Sequence, residues 1–376
     1  MRFDEIPGHG EVKKILRGMV YNKRIPHALL FLGEEGGGNL PMAFAFAQFI
    51  FCERKAENDS CGECRQCLRL KKLEHPDLHL VFPFALSKNT RTCDPLVSDF
   101  RIAFLQQPFL DLSDWFNELG AENKQPVIPA EESDQIIRKL SYTSFENNYK
   151  VMVIWMPEKM NHASANKLLK ILEEPPDETL FFLVTSHFDQ LLTTIISRTQ
   201  LIKISPLQNE EMKLALQQKF SVTQERAAQI ASISDGNLRS ALRILSENGS
   251  TIAFFEHFKT MMRYCHRYDI FRITQWVDEI ASLGREQQKY FFQYALNLLR
   301  ECLMLNYGSG SLVHTQGEEL AFLKKFAPFV HERNFEKMSE ELNLACHHIE
   351  RNAHAKILLT DLSLKINELL NTPKPQ

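Results

Sequence analysis

Four of the eight cysteines lie within sixteen residues of one another and have the spacing of a metal site. The pattern is Cys52-x8-Cys61-x2-Cys64-x2-Cys67, so that two CxxC units share Cys64. Four thiolates with no open position suit a structural Zn²⁺, because a catalytic zinc keeps one position for water. Buried free thiols are the alternative, and iron–sulfur proteins of the ferredoxin type use different spacings. We therefore predict a structural zinc that holds a loop together.

A glycine-rich turn follows the apolar run Ala28–Leu32 and has part of the pattern that binds nucleotide phosphates. In that pattern Lys and Ser or Thr come directly after the last glycine. Gly33 and Gly38 have the required spacing, but Asn39 and Leu40 occupy the next two positions. Taken alone, the glycines also fit a flexible turn with no ligand. We predict a degenerate P-loop, whose backbone amides could still form an anion-binding nest.

A P-loop ATPase also needs an acidic site, in which an apolar strand ends in Asp-Glu to hold Mg²⁺ and orient the attacking water. The strand predicted at Val151–Trp155 has the right shape, but Trp155 and Met156 stand at the expected acidic positions. Neither side chain can bind Mg²⁺ or polarise water. Glu158 lies beyond the strand, and we predict that it is a solvated residue at a helix entry. No ATP is therefore expected as a cofactor.

The elements that position these residues alternate between strand-like and helix-like segments over the first two hundred residues. Such alternation favours an α/β fold with a parallel sheet and right-handed crossovers. The predicted strands, all short apolar runs, are Ala28–Leu32, Leu78–Phe82, Val151–Trp155, Leu180–Thr185 and Leu201–Ile204. The predicted helices are Glu11–Tyr21, Leu40–Phe51, Ser133–Leu140 and His162–Glu173. The segment Phe84–Ile128 has weak periodicity and is interpreted as an insertion.

The chain changes character after about Pro206, where strand patterns end and helical periodicity continues to the C-terminus. The formal net charge of −3 provides no overall basic field for nucleic acid. Neither an apolar signal region nor a run of about 18 apolar residues is found, so that we expect a cytoplasmic protein with no membrane partner.

Several motifs in order resemble the AAA+ subunits of the bacterial DNA polymerase III clamp loader. They are NKLLKILEEPP (Asn166–Pro176), FFLVTS (Phe181–Ser186), TIISRTQ (Thr194–Gln200) and DGNLRSALRIL (Asp235–Leu245). The glycine loop and the four-cysteine module fit the same family, and the resemblance spans roughly residues 3–248. It implies an AAA+ α/β module at 1–206 with a zinc-binding insertion and a degenerate P-loop. A helical lid at 207–248 and an all-α collar domain at 249–376 would follow.

Two subunit types of this family carry the zinc module. The gamma/tau type is the ATPase and keeps Lys-Thr and Asp-Glu, whereas the delta prime type does not bind ATP. This chain lacks all four residues and so resembles the delta prime type. A gamma/tau-like ATPase with a divergent site is the alternative, as is a zinc-stabilised interaction protein outside the clamp loader.

The resemblance also implies a site that acts on a neighbouring subunit. Arg198, preceded by Ser197, matches the arginine that in this family reaches the neighbour's γ-phosphate as an arginine finger. Thr199 stands where the family has cysteine, and a surface salt bridge is the alternative role for the arginine. Arg239 stands at the second-sensor position, where a structural role in the lid is expected because no nucleotide is bound.

As a delta prime type, the chain would be inert alone and would join gamma/tau and delta subunits in a hetero-pentamer. Through that complex it would help to load the sliding clamp on primed DNA.

Overall fold

The structure is a computed structural model that describes residues 1–87, 90–121, 124–142, 144, 149–246, 250–308, 315, 317–351 and 353–373. The chain divides into two compact units. Unit 1 comprises Met1–Ala215 and Gly236–Ser240, and unit 2 comprises Leu216–Asp235 and Ala241–Gln376. The three-part division at residues 206 and 248 stays a prediction, and its second boundary falls outside the described residues.

Unit 1 is built on a five-stranded sheet in the order β2-β5-β6-β1-β7, in which all neighbours are parallel. A separate antiparallel pair joins β3 to β4. The strands are β1 (Ala28–Leu32), β2 (Leu78–Val81), β3 (Phe84–Ala85), β4 (Pro126–Val127), β5 (Lys150–Trp155), β6 (Thr179–Thr185) and β7 (Gln200–Lys203). Each of the five predicted strands is present. Every residue of β5 and β6 is buried, as expected for central parallel strands covered on both faces.

Helices cover the sheet and then continue without further strands in the described part of unit 2. The helices up to β7 are α1 (Gly10–Tyr21), α2 (Asn39–Phe51), α3 (Arg65–Lys71), α4 (Val97–Gln106), α5 (Leu112–Glu118), α6 (Ala130–Ser141), α7 (His162–Glu173) and α8 (Thr193–Ile196). The later ones are α9 (Asn209–Phe220), α10 (Gln224–Ile233), α11 (Leu238–Ser246), α12 (Ser250–Arg267), α13 (Ile270–Ser282), α14 (Arg285–Asn306), α15 (Gly317–Phe326), α16 (Glu332–Glu350) and α17 (Ala355–Leu370). This arrangement confirms the predicted fold class, a parallel sheet flanked by helices and followed by an all-α region.

Helix α2 starts at the glycine loop and has all of its residues buried. Its sequence is apolar all round, which is typical of a helix in the centre of a domain. The loop that precedes α2 is therefore fixed to the core of unit 1.

The segment Phe84–Ile128, predicted as an insertion, forms β3, α4, α5 and β4, which pack around an aromatic cluster. The rings of Phe82 and Phe100 stack with their centroids 4.2 Å apart, and Trp115 meets both rings edge-on. The indole N–H of Trp115 donates to the carbonyl of Pro83 at 2.8 Å. The ring centroids of Phe100 on α4 and Trp155 at the end of β5 are 5.8 Å apart. The cluster therefore packs α4 and α5 onto the carboxyl end of β5.

Within the described residues, no helix is both long and apolar enough to cross a membrane.

Candidate functional site

The side chain of Asn39 closes the glycine loop from inside. Its Nδ2 donates to the carbonyl of Gly33 at 2.8 Å, and its Oδ1 accepts from the amide of Leu40 at 2.8 Å. Both Asn39 and Leu40 are buried. In a P-loop, the two positions after the last glycine hold the lysine and the hydroxyl that face phosphate and Mg²⁺. Here they hold a side chain bonded to its own loop and an apolar core residue.

A second segment of unit 1 covers the outside of the same loop. The amide of Arg239 donates to the carbonyl of Gly36 at 3.2 Å, and Asn237 Nδ2 donates to the carbonyl of Glu35 at 2.8 Å. Gly36 has a φ of 72°, and a Cβ at this position would lie 2.3 Å from the Cβ of Arg239. Glycine is required here both for its backbone conformation and for this close approach.

The guanidinium of Arg239 is held by Asp114 on α5. Its Nε lies 2.6 Å from Asp114 Oδ2, and its Nη2 lies 2.5 Å from Asp114 Oδ1. Arg239, the residue predicted to stand at the second-sensor position, is therefore joined by a bidentate ion pair to the segment predicted as an insertion. Through Glu35 and Leu112, that segment also contacts the glycine loop.

The acidic positions of an ATPase are occupied by core residues. Trp155 and Met156 are both almost fully buried, and Trp155 extends the aromatic cluster beneath α4 and α5. Met156 has a φ of 57° and leads into the turn after β5. Neither residue offers an oxygen ligand to a metal ion, and both side chains belong to the core of unit 1.

Glu158 is not the solvated residue that its position beyond the strand suggested. Its Oε2 accepts a hydrogen bond of 2.8 Å from the hydroxyl of Thr185, the last residue of β6. The same hydroxyl accepts from the amide of His187 at 3.0 Å. Burial raises the pKa of Glu158. The prediction was wrong because the turn after β5 folds back over the end of β6.

A further acid, Glu35, lies in the glycine loop itself. Its Oε2 accepts from the amide of Leu112 at the start of α5 at 3.0 Å, and its Oε1 lies 3.7 Å from His187 Nε2. The nearby carboxylate of Glu35 raises the pKa of His187. Glu35 places negative charge next to a loop whose glycine pattern is otherwise typical of phosphate binding.

Arg198 and Ser197 lie at the end of the short helix α8, where Ser197 is exposed and Arg198 half-buried. Arg198 Nη1 donates to the carbonyl of Thr194 at 2.9 Å, and Nη2 lies 2.6 Å from the exposed carboxylate of Glu173. Glu173 is the last residue of α7. In this chain alone the arginine is therefore folded back along α8 and ion-paired.

The four clustered cysteines converge on one point. Their Sγ atoms all lie within 4.8 Å of one another, and those of Cys61 and Cys67 are 3.9 Å apart. Sulfurs around a tetrahedral zinc with bonds of about 2.3 Å lie about 3.8 Å apart. All four cysteines are free, and the set Cys52, Cys61, Cys64 and Cys67 could bind a metal.

Local backbone geometry accounts for this convergence. Cys52 follows the end of α2, Cys64 caps the start of α3, and Gly62 has a φ of 75° in the turn between them. The amide of Cys61 donates to the Sγ of Cys52 at 3.2 Å, and the amide of Cys64 donates to the Sγ of Cys61 at 3.3 Å. Such N–H donors favour the thiolate.

Cys52, Cys61 and Cys67 differ in how readily their thiols ionise. Burial raises the pKa of Cys61, but amide donors from Glu63 and Cys64 outweigh it and lower the pKa to about 6. Burial raises the pKa of Cys52 and of Cys67. A set of four buried or half-buried thiols in which one ionises readily fits a divalent metal, because metal binding displaces the remaining protons.

Sequence reasoning found the cysteines, the glycine loop, Trp155 and Met156, but it missed Asp114, Glu35 and Glu173 as partners. Asp114 and Glu35 belong to segments with no regular pattern, so that no periodicity distinguished them. The position of Glu173 in the motif Glu-Glu-Pro-Pro, at the predicted end of a helix, could have indicated it as a partner for a nearby arginine.

Comparison with known proteins identifies the family of this chain. A sequence model of the family described as DNA polymerase III, delta subunit, matches residues 8–208. DNA polymerase III subunit delta' of Bacillus subtilis (strain 168) is 34% identical over 198 residues, which are 52% of this chain and 47% of that relative. The match thus spans about half the length of that relative.

Two further relatives extend the similarity. Subunit delta' of Escherichia coli (strain K12) is 24% identical over 354 residues, covering 92% of this chain and 90% of the relative. Subunit tau of Bacillus subtilis (strain 168) is 25% identical over 251 residues, covering 65% of this chain and 37% of the relative. Because the family model covers more than half of the chain, the chain belongs to the family described as DNA polymerase III, delta subunit, whose delta prime members it resembles.

Proposed function

We propose that this chain is the non-ATPase delta prime subunit of a DNA polymerase III clamp loader. It supplies Arg198 in trans to a neighbouring ATPase subunit and helps to load the sliding clamp on primed DNA. Its partners are gamma/tau and delta subunits in a hetero-pentamer, and it acts in the cytoplasm. By itself it is catalytically inert and binds no ATP.

The observation that carries this proposal is the bonding of Asn39. A lysine at this position of a P-loop extends its ammonium group toward the β- and γ-phosphates, whereas Asn39 donates to the carbonyl of Gly33 in its own loop. Trp155 and Met156 fill the acidic positions with core packing. The lysine, hydroxyl and acidic positions of a Mg-ATP site are thus all replaced, while the motif Ser197-Arg198 is kept.

Arg198 suits a role in trans because its present contacts are easily exchanged. Its partner Glu173 is exposed, and ion pairs of this kind contribute only about 0–1 kcal/mol. An arginine finger can accelerate hydrolysis by about 10³- to 10⁵-fold in other NTPases. Replacing the Glu173 carboxylate by a γ-phosphate of higher charge is therefore favourable once a neighbouring subunit brings its nucleotide within reach.

The metal cluster completes the proposal as a structural element. We assign Zn²⁺ to Cys52, Cys61, Cys64 and Cys67, because four thiolates form a closed tetrahedral shell. The cluster links the end of α2 to α3, so that it stabilises the helix that begins at the glycine loop. It supplies no chemistry to the neighbour's site.

Two measurements separate this function from that of a divergent gamma/tau-like ATPase. The first is titration of the purified chain with Mg-ATP, for which we expect neither micromolar binding nor hydrolysis. Micromolar binding of Mg-ATP, or its hydrolysis, would instead contradict the delta prime assignment and support the ATPase.

The second measurement is ATP hydrolysis by the complex reconstituted with a lysine-bearing ATPase subunit. Arg198→Ala should abolish turnover at the single site that this chain completes, whereas Arg138→Ala, an exposed arginine on α6, should leave the rate unchanged. An unchanged rate with Arg198→Ala would contradict the proposed role in trans and favour an interaction protein outside the clamp loader.

A further inference from the structure

The turn between α12 and α13 in unit 2 exposes aromatic and cationic side chains that the proposed function does not use. Phe271 is 72% exposed, Tyr268 55% and Ile270 52%. Arg263 and Arg267 are exposed on the last two turns of α12, one helical turn apart. We call these five residues the α12–α13 surface.

The backbone beneath this surface is fixed rather than loose. Asp269 caps α13 by accepting from the amide of Arg272 at 3.2 Å, and Asn367 Nδ2 donates to the carbonyl of Cys265 at 2.6 Å. The next inward-facing residues of α13, Ile273 and Trp276, are buried. Phe271 on α13 and Tyr268 in the turn are therefore held by packed helices, so that a ligand need not order the backbone first.

The charges of the surface favour an anionic ligand. Residues 263–272 contain three arginines and a single acid, Asp269, in a chain whose net charge is −3. Asp269 is paired with Arg272, whose guanidinium lies over the ring of Tyr264 at 5.7 Å. In the part of the chain that the structure describes, Arg263 and Arg267 have no carboxylate partner. Two like charges one helical turn apart repel each other, and a bound anion would relieve this repulsion.

We propose that the α12–α13 surface binds single-stranded DNA. Phe271 and Tyr268 stack on bases, and Arg263 and Arg267 bind the adjacent phosphates. Exposed aromatic rings beside unpaired arginines are the combination that holds single strands without sequence preference, because every base offers a π-face. A specific protein partner would bury about 800 Å² on each side, which is more than a turn with three exposed apolar side chains offers. This inference is independent of the role proposed for Arg198.

The test is fluorescence anisotropy of the full chain with a labelled oligo-dT of about 20 nucleotides and with an abasic oligomer of the same length. The abasic oligomer keeps the phosphates but has no bases, so that we expect it to bind more weakly. Phe271→Ala should weaken oligo-dT binding by about 5- to 100-fold, the loss of one stacked base, and Phe271→Trp should retain it. Arg267→Gln should reduce the slope of log affinity against log salt by about 0.7.

Tyr142→Ala is the matched control, since Tyr142 is an exposed tyrosine of unit 1, and it should leave binding unchanged. Equal binding of oligo-dT and the abasic oligomer would overturn the proposal, as would wild-type affinity in Phe271→Ala. Competition by polyglutamate as strong as that by oligo-dT would also overturn it and indicate an acidic protein partner. Thermal melting of each variant checks that the fold is kept, and Phe271→Trp and Arg267→Gln remain decisive if Phe271→Ala is unstable.

Discussion

The ion pair between Arg239 and Asp114 should be a measurable clamp on the glycine loop. The perturbation is a double-mutant cycle of Asp114→Asn, Arg239→Gln and the two combined. Asparagine and glutamine remove the charges but keep some hydrogen bonding. Asparagine at position 114 can still accept from the amide of Asp111, so that the capping box at the start of α5 is disturbed least. The cycle isolates the pairwise coupling from the effects of each single change.

The magnitude follows from burial and geometry. The two side chains are only 18% and 14% exposed and are joined by two charge-assisted hydrogen bonds. Exposed pairs contribute about 0.2–1 kcal/mol, and breaking a fully buried pair costs about 3–5 kcal/mol. We expect a coupling free energy of about 2 kcal/mol for this intermediate case.

The matched control is the pair Lys167–Asp134, which has an N–O distance of 2.5 Å but side chains 39% and 61% exposed. Its coupling should be below about 0.5 kcal/mol because solvent screens it. The assay is urea unfolding followed by tryptophan fluorescence, to which Trp115, next to Asp114 on α5, contributes. Equal coupling energies for the two pairs would refute the reasoning that partial burial of Arg239 and Asp114 strengthens their attraction.

Three other outcomes are expected. Cys64→Ser should lower the zinc content of the purified chain from about one ion to none and reduce its melting temperature. Cys346→Ser, which lies outside the cluster, should keep the metal, and elemental analysis of both variants measures the difference. The Glu35 carboxylate, 3.7 Å from His187 Nε2, raises the pKa of His187. This contact therefore stabilises the fold fully below the ordinary pKa of 6.5, and its contribution is lost as pH rises through the folded pKa. Urea unfolding between about pH 6 and 8 should show a smaller loss of stability in Glu35→Gln than in the wild type, and equal losses would contradict this assignment. Asn39→Lys should not create ATP hydrolysis, because Trp155 and Met156 stand at the positions where an ATPase has its Mg²⁺-binding acids. A phosphate-release assay that detects turnover would disprove this.

The α/β fold could be predicted because its buried parallel strands are recognisable as continuous apolar runs. Strand β5 was placed almost to the residue, from Val151 in the sequence and from Lys150 in the structure. The segment 84–128 could not be predicted in detail, because its helices α4 and α5 are short. Their packing depends on an aromatic cluster that includes Trp155, from a strand that follows them in the chain.

The candidate site was likewise predictable only where it depends on local spacing. The spacing of the cysteines depends on local turns, so that the sequence alone indicated a closed four-thiolate set, and the structure brings the same sulfurs together. The solvated position predicted for Glu158 was wrong, because its partner Thr185 comes from another strand.

By itself, the sequence determined which chemical groups are present: four clustered thiols, a glycine loop without its lysine, and a strand end without its acids. These features are defined by residue types at fixed spacing, and local chain geometry converts such spacing directly into proximity. Only the tertiary structure decided what replaces the missing groups. Asn39 closes the loop, Asp114 holds Arg239 from 125 residues away, and Glu173 holds Arg198. Charge pairs and hydrogen bonds between distant segments depend on how helices pack onto the sheet, and no local pattern in the sequence specifies that packing.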